Sequence, residues 1–291
     1  MSTGSYRAGI VAILGPPNAG KSTLLNHALG EKLAIVSAKP QTTRSRILGI
    51  LTRDDAQIIF QDTPGLHEST KVLNAALNEQ VAEAADRCDA ALVLADLTRG
   101  WTEVHETLQQ GLLAAGTPCF AVGTKCDLPA ARSAEWPPPN AKYSARVSAK
   151  TGENVAALLD DVAAVLPESP ALYPEDELSD RPVRFLAAEL VREAAFDALA
   201  QELPYSVAVE IEQFDESRPG IVKIRANLIV ERQSQKQIVI GKGGSVIKQI
   251  GIQARKGIEA LIDCKVHLEL WVKVEPKWAK RPNRIKSLGY S

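Results

Sequence analysis

Residues 15–22 read Gly-Pro-Pro-Asn-Ala-Gly-Lys-Ser, a G-x-x-x-x-G-K-[ST] pattern between an apolar run, Gly9–Leu14, and a helix-like segment ending at Leu29. At ordinary residue frequencies the pattern arises by chance in about one chain per hundred of this length. The strand before it and the helix after it make an accident rarer still. Glycines at 15 and 20 free the backbone N–H groups to turn inward around phosphate oxygens, and the helix N-terminus adds its positive dipole end. Pro16, Pro17, Asn18 and Ala19 complete the loop, Lys21 is placed to reach β- and γ-phosphates, Ser22 to ligate Mg²⁺, and Thr23 opens the helix.

Around this loop, apolar runs alternate with helical patterns. Gly9–Leu14, Ile58–Phe60, Ala90–Ala95, Cys119–Val122 and Arg146–Ser148 read as buried strands, with helices at Ser22–Leu29, Val72–Arg87, Glu103–Ala115 and Val155–Val165. The order predicts an α/β, doubly wound, mostly parallel sheet with ligands at the strands' carboxyl ends. At 291 residues the chain has the length of two domains. The Pro- and acid-rich stretch Leu166–Pro182 divides it into a nucleotide domain at 1–174, a linker at 175–182 and a second domain at 183–291.

Three further strand ends carry matching chemistry. Asp62-Thr63-Pro64-Gly65 follows Ile58–Phe60, which places Asp62 to hold a metal-bound water and the Gly65 N–H to meet a γ-phosphate, with Leu66 next. Thr124-Lys125-Cys126-Asp127 follows Cys119–Val122. A carboxylate at Asp127 can accept from both N1–H and the 2-amino group of guanine, whereas adenine offers a lone pair at N1, so this box selects GTP over ATP. Ser148-Ala149-Lys150 closes the last strand and would shape the pocket near guanine O6.

The second domain opens with a helical stretch, Val183–Leu203, and two alternating strands around Val207–Ile211 and Ile221–Ala226. Then come Ile240-Gly241-Lys242-Gly243-Gly244-Ser245-Val246, a helical pattern from Ile247 to Leu261, and a last strand, Val266–Val274. Gly241 and Gly244 let a nucleic-acid backbone approach, Lys242 and Lys248 add charge, and Ile240, Val246 and Ile247 offer an apolar bed for bases. Charge supports this reading: residues 1–182 hold 16 Lys+Arg against 22 Asp+Glu, and 183–291 hold 18 against 13. The tail around Trp278, with Lys277, Lys280 and Arg281, is expected to meet RNA phosphates, with an anionic membrane surface as the secondary target.

These boxes resemble those of a Ras-like GTPase, and Asn18 with Gln41-Thr42-Thr43-Arg44, followed by the helix, strand and GxxG order, resembles the Era family over nearly the whole chain, Ala8 to Tyr290. The resemblance implies a type II KH fold (α+β) for the second domain and a slow GTP-hydrolysing switch. It also implies binding of 16S rRNA near its 3′ end and assistance in assembling the 30S ribosomal subunit. It places the switch threonine that completes Mg²⁺ at Thr43 or Thr42. Two departures stand out: the family's usual Asn is Thr124, and Leu66 replaces the Gln with which Ras-type enzymes orient water. Asn18 resembles a K⁺ ligand that would supply transition-state charge instead. Leu66 also leaves open an RNA-binding module whose nucleotide domain senses GTP but barely hydrolyses it.

Other classes are excluded by composition. The longest apolar stretches fall short of the roughly 20 residues of a bilayer helix, and Cys88, Cys119, Cys126 and Cys264 form no CxxC pair. A cytoplasmic monomer, with at most peripheral contact at the inner face of the cell membrane, is the expectation.

Overall fold

The computed structural model describes residues 5–36, 47–62, 79, 82–84, 86–200 and 203–289. The chain divides into two compact units between Asp180 and Arg181.

In the first unit, six strands order as β2-β3-β1-β4-β5-β6. They are β1 (Arg7–Leu14), β2 (Ile47–Thr52), β3 (Ala56–Asp62), β4 (Ala90–Asp96), β5 (Cys119–Thr124) and β6 (Tyr143–Arg146). All pairings are parallel except β2 with β3. β4 and β5 are buried at every residue, as strands covered on both faces must be, which is why they read as unbroken apolar runs. The helices of this unit described in full are α1 (Lys21–Leu29), α2 (Glu103–Ala114) and α3 (Val155–Val165). Of the helix expected at 72–87, the described residues 79, 82–84, 86 and 87 are helical.

Two corrections to the sequence reading arise here. β2 went unrecognised because Gly49 interrupts its apolar run; a Cβ there would stand 2.7 Å from both Leu25 and Leu29 of α1, so the glycine admits the helix. β6 ends at Arg146 rather than spanning 146–148, which leaves Ser148 in a loop, buried and bonded. The Pro- and acid-rich segment is fastened to the first unit: Ile50 N–H donates to Leu178 O (2.9 Å), Ser179 Oγ to Leu48 O (2.7 Å), and Gln57 Oε1 accepts from Leu172 and Tyr173 N–H. Edge strand β2 is thereby covered.

The second unit has a three-stranded sheet, β7 (Ala208–Arg218), β8 (Ile221–Val230) and β9 (Lys265–Val274), with β7–β8 antiparallel and β8–β9 parallel. Helices α4 (Val183–Ala198), α5 (Gln233–Ile240) and α6 (Ser245–Ile262) cover one face, and their Val191, Ala194, Val239, Ile250, Ala254 and Ile258 join the core with Val209, Ile224, Leu228 and Val266. On the other face the short helix α7 (Pro282–Ser287) and the residues before it fold back, burying Trp278 and Leu288 against Ala208 and Ile229.

Candidate nucleotide site and RNA groove

β1 pairs with β3 on one side and β4 on the other, so the chain leaves β1 at the sheet's topological switch point, where ligands bind in such folds. The loop there is held in shapes only a few residues adopt. Gly15 has φ +139° and a Cβ on it would stand 2.6 Å from Leu94 O; Gly20, at φ +93°, precedes α1. Asn18 also takes a left-handed conformation, φ 62°. Lys21 is buried and its Nζ donates to Gly15 O and Pro16 O, both at 2.9 Å, arching over the loop. Pro16 and Pro17 are half-buried and Ala19 is buried in the loop, with Ser22 and Thr23 in the first turn of α1.

Thr124, where the family usually has Asn, is 1 % exposed, and its hydroxyl lies 2.7 Å from Ala19 O and 3.2 Å from Ala95 O. It therefore ties β5 to the phosphate loop. A hydroxyl donor thus braces the phosphate loop from the position where the family usually has Asn.

Beyond Thr124, Lys125 adopts φ 60°, Cys126 N–H donates to Val147 O (3.2 Å), and half-buried Asp127 follows. Burial, with Glu153 hydrogen-bonded beside it, pushes the Cys126 thiol above its usual range, so it is held as a neutral thiol. The neighbouring loop folds on Ser148: its Oγ accepts from Thr151 N–H (3.2 Å), its carbonyl accepts from Gly152 N–H (2.8 Å), and its own N–H donates to Glu153 O (3.1 Å). Ala149 is buried and Lys150 exposed beside it. The structure thus brings residues 15–23, 124–127 and 148–150 to the carboxyl edge of one sheet. Asp62 closes β3 in register with Ile13. Thr42, Thr43, Thr63, Pro64, Gly65 and Leu66 lie outside the described residues.

In the second unit α5 ends at Gly241 and α6 starts at Ser245. Gly241, Gly243 and Gly244 have φ of 74°, 60° and 79°. A Cβ on Gly241 would meet Val246 Cγ2, whereas Gly243 and Gly244 face open space, with Lys242 exposed between. Along α6 and β9 runs a groove of about 410 Å³, lined by Ile247, Lys248, Gly251, Ile252 and Arg255 on one wall and by Val266, His267, Leu268 and Leu270 on the other. Of the residues expected to receive bases, Ile247 lines the groove, while Ile240 and Val246 pack against the core. Arg255, Ile252 and His267 were missed in the sequence; the spacing of Lys248, Ile252 and Arg255 along one helix face was the available signal.

The tail divides as well. Trp278 is 3 % exposed and its Nε1 donates to Ser206 O (3.2 Å), so it is a structural anchor and no RNA platform. Lys277, Lys280 and Arg281 stay exposed, with Arg281 bonded to Pro276 O and Glu275. Arg284 bridges Glu210 and Glu275, and its hydrogen bonds hold the Glu210 carboxyl below its usual range against the opposing effect of burial.

A phosphate loop at the switch point of one sheet, and a glycine loop leading into the helix that walls a groove beside another, define a P-loop GTPase domain followed by a KH domain. Comparison with known proteins gives the same division: residues 10–125 match the family described as 50S ribosome-binding GTPase, and 202–279 match the KH domain. GTPase Era of Nitratidesulfovibrio vulgaris is 46% identical over 304 residues, covering 99% of each chain, and that of Azotobacter vinelandii is 45% identical over 98% of this chain and 97% of its own. A solved Aquifex aeolicus Era variant bound to GDP and AlF4⁻ superposes with a TM-score of 0.84 at 37% identity, covering 98% of this chain and 99% of its own. An Era structure in complex with MgGDPNP and nucleotides 1506–1542 of 16S ribosomal RNA matches with the same score, identity and coverage. The chain belongs to the Era family, and it is a GTPase.

Proposed function

We propose that this GTPase binds 16S rRNA near its 3′ end through the α6–β9 groove, in a nucleotide-dependent way, and so assists assembly of the 30S subunit. The observation that carries the reading is the pairing, in one chain, of a braced phosphate loop with an apolar groove that carries Lys248 and Arg255, its helix preceded by the glycine loop with exposed Lys242. Single-stranded RNA suits such a groove: splayed bases rest on Ile247, Ile252 and Leu268 while the cations and the open glycine backbone take phosphates. Residues 15–23 hold the phosphates, with Lys21 on the β- and γ-groups. Asp127 selects guanine, with Lys125, Cys126, Ser148, Ala149 and Lys150 forming the wall of its slot.

The residues fit Mg²⁺: Ser22 puts a hydroxyl oxygen beside Lys21 at the start of α1, and a hard cation prefers oxygen donors. Ser22 and the switch threonine, Thr43 or Thr42, would hold the ion, which neutralises phosphate charge when bound. Asp62 and Gly65 would position water and γ-phosphate. Because Leu66 can neither donate nor accept a hydrogen bond, the missing transition-state charge is assigned to K⁺ on Asn18, whose left-handed backbone projects within the loop. Single-turnover hydrolysis is expected to run faster in K⁺ than in Na⁺, and equal rates would remove this step.

The protein acts as a monomer in the cytoplasm, with membrane contact limited to the exposed tail cations. Crosslinking to total RNA with a GTP analogue or GDP bound, followed by sequencing of the captured fragments, tests the reading. Recovery of the 16S 3′ region is expected preferentially in the GTP state, and capture without sequence enrichment in either state would refute it.

A further inference from the structure

Asp96, the last residue of β4, belongs to none of the nucleotide boxes, yet it lies in register with Thr124 across the β4–β5 pair. Its carboxylate is only 8 % exposed and fully engaged. One oxygen accepts from Thr98 N–H (2.9 Å) and Thr98 Oγ1 (2.7 Å), and the other from Lys125 Nζ at 2.6 Å. Burial would raise its pKa, but the hydrogen bonds from Lys125 and Thr98 outweigh it and keep the group ionised. The turn after β4 is wound around the same residue, with Arg99 and Gly100 N–H donating to Asp96 O and Leu97 N–H to Thr124 O.

Lys125 is the residue that needs holding. Its φ of 60° puts a bulky side chain in the left-handed region that L-residues rarely adopt, and Asp127 hangs two residues beyond. Relaxing Lys125 toward an ordinary conformation would rotate the peptides that carry Asp127. A charge-assisted hydrogen bond from a nearly buried carboxylate anchored at its other oxygen opposes that rotation.

We infer that Asp96 is a positioning residue for guanine recognition: through Lys125 it fixes the backbone from which Asp127 reads the base. This rests on the assignment of residues 124–127 to guanine. Asp96 acts through Lys125, so its effect is expected on how well N1–H and the 2-amino group are read and not on phosphate chemistry.

The test compares GDP with IDP, which lacks the 2-amino group, on the full chain. Asp96→Asn is expected to weaken GDP about tenfold and to shrink the GDP-over-IDP preference severalfold, while single-turnover hydrolysis of saturating GTP stays within twofold of the parent. Lys125→Met is expected to shrink the GDP-over-IDP preference at least as much, and the double variant to be no worse in that preference than the poorer single one. Should Asp96→Asn fold poorly, Thr98→Val, which unhooks the carboxylate from the other side, is expected to lower the preference by a smaller factor. An unchanged preference in Asp96→Asn or in Thr98→Val, or additive losses in the double variant, overturns the proposal. If Asp127→Ala itself retains the full preference for GDP over IDP, the guanine assignment fails and the proposal with it.

Discussion

Both units use glycine-rich loops before a helix, but they do so for opposite reasons. In the first, glycine is demanded by the protein's interior: a Cβ on Gly15 would run into Leu94 O, and the loop is roofed by Lys21 and tied down by Thr124. In the second, Gly243 and Gly244 have nothing within 4 Å of a would-be Cβ, so the protein itself leaves the space open. The first loop is built to one shape before any ligand arrives; the second keeps a bare backbone for something outside. Substitutions should therefore damage the fold and nucleotide site in one case and only ligand binding in the other.

The sharpest contrast is expected from Gly15→Ala. It adds a clash with backbone to a conformation L-residues rarely adopt, and GTP affinity should fall by roughly 100-fold or more, with a lower melting temperature, by calorimetry. Next, Thr124→Val keeps shape and removes the hydroxyl, stranding buried acceptors at a cost of about 1–3 kcal/mol, so GDP affinity should drop about tenfold. Unchanged GDP binding would show that the brace is idle.

In the other loop, Gly243→Asp places a residue that tolerates left-handed backbone into open space. Thermal stability should change by less than about 1 kcal/mol, yet RNA affinity should fall about tenfold through repulsion of phosphate, read by fluorescence anisotropy. Equal damage to stability and RNA binding would erase the distinction between the loops. The smallest effect belongs to the tail clamp. Arg284 keeps the Glu210 pKa low in the folded state, so that group's contribution is present above the unfolded glutamate value of about 4.3 and is lost as pH falls through the lower folded value. Urea melts of Glu210→Gln from pH 6 to 3 should show a shallower loss of stability than the parent.

How legible each feature was in the sequence follows from the same physics. Strands β1, β3, β4 and β5 announced themselves through the apolar runs Gly9–Leu14, Ile58–Phe60, Ala90–Ala95 and Cys119–Val122, which burial keeps free of polar side chains, and the phosphate loop because its glycines are obligatory. β2 did not, since Gly49 is there for a neighbouring helix and breaks the pattern. The groove proposed for RNA was half visible: the glycines and Lys242 are local in sequence, whereas the far wall, Val266 to Leu270, becomes part of it only when β9 pairs beside α6. The burial of Trp278 was not legible, because a single aromatic among cations says nothing about which sheet face it will cover. Asp96 was invisible for a similar reason; its partner Lys125 is brought near by strand pairing alone.

The central claim is that the nucleotide held by the first unit sets how tightly the second holds RNA. Affinity of the full chain for an oligonucleotide of the 16S 3′ end, measured with a non-hydrolysable GTP analogue and again with GDP, tests it most directly. At least a fivefold tighter dissociation constant in the GTP-analogue state is predicted, about the lower end of ordinary allosteric couplings; equal constants in the two states would contradict it.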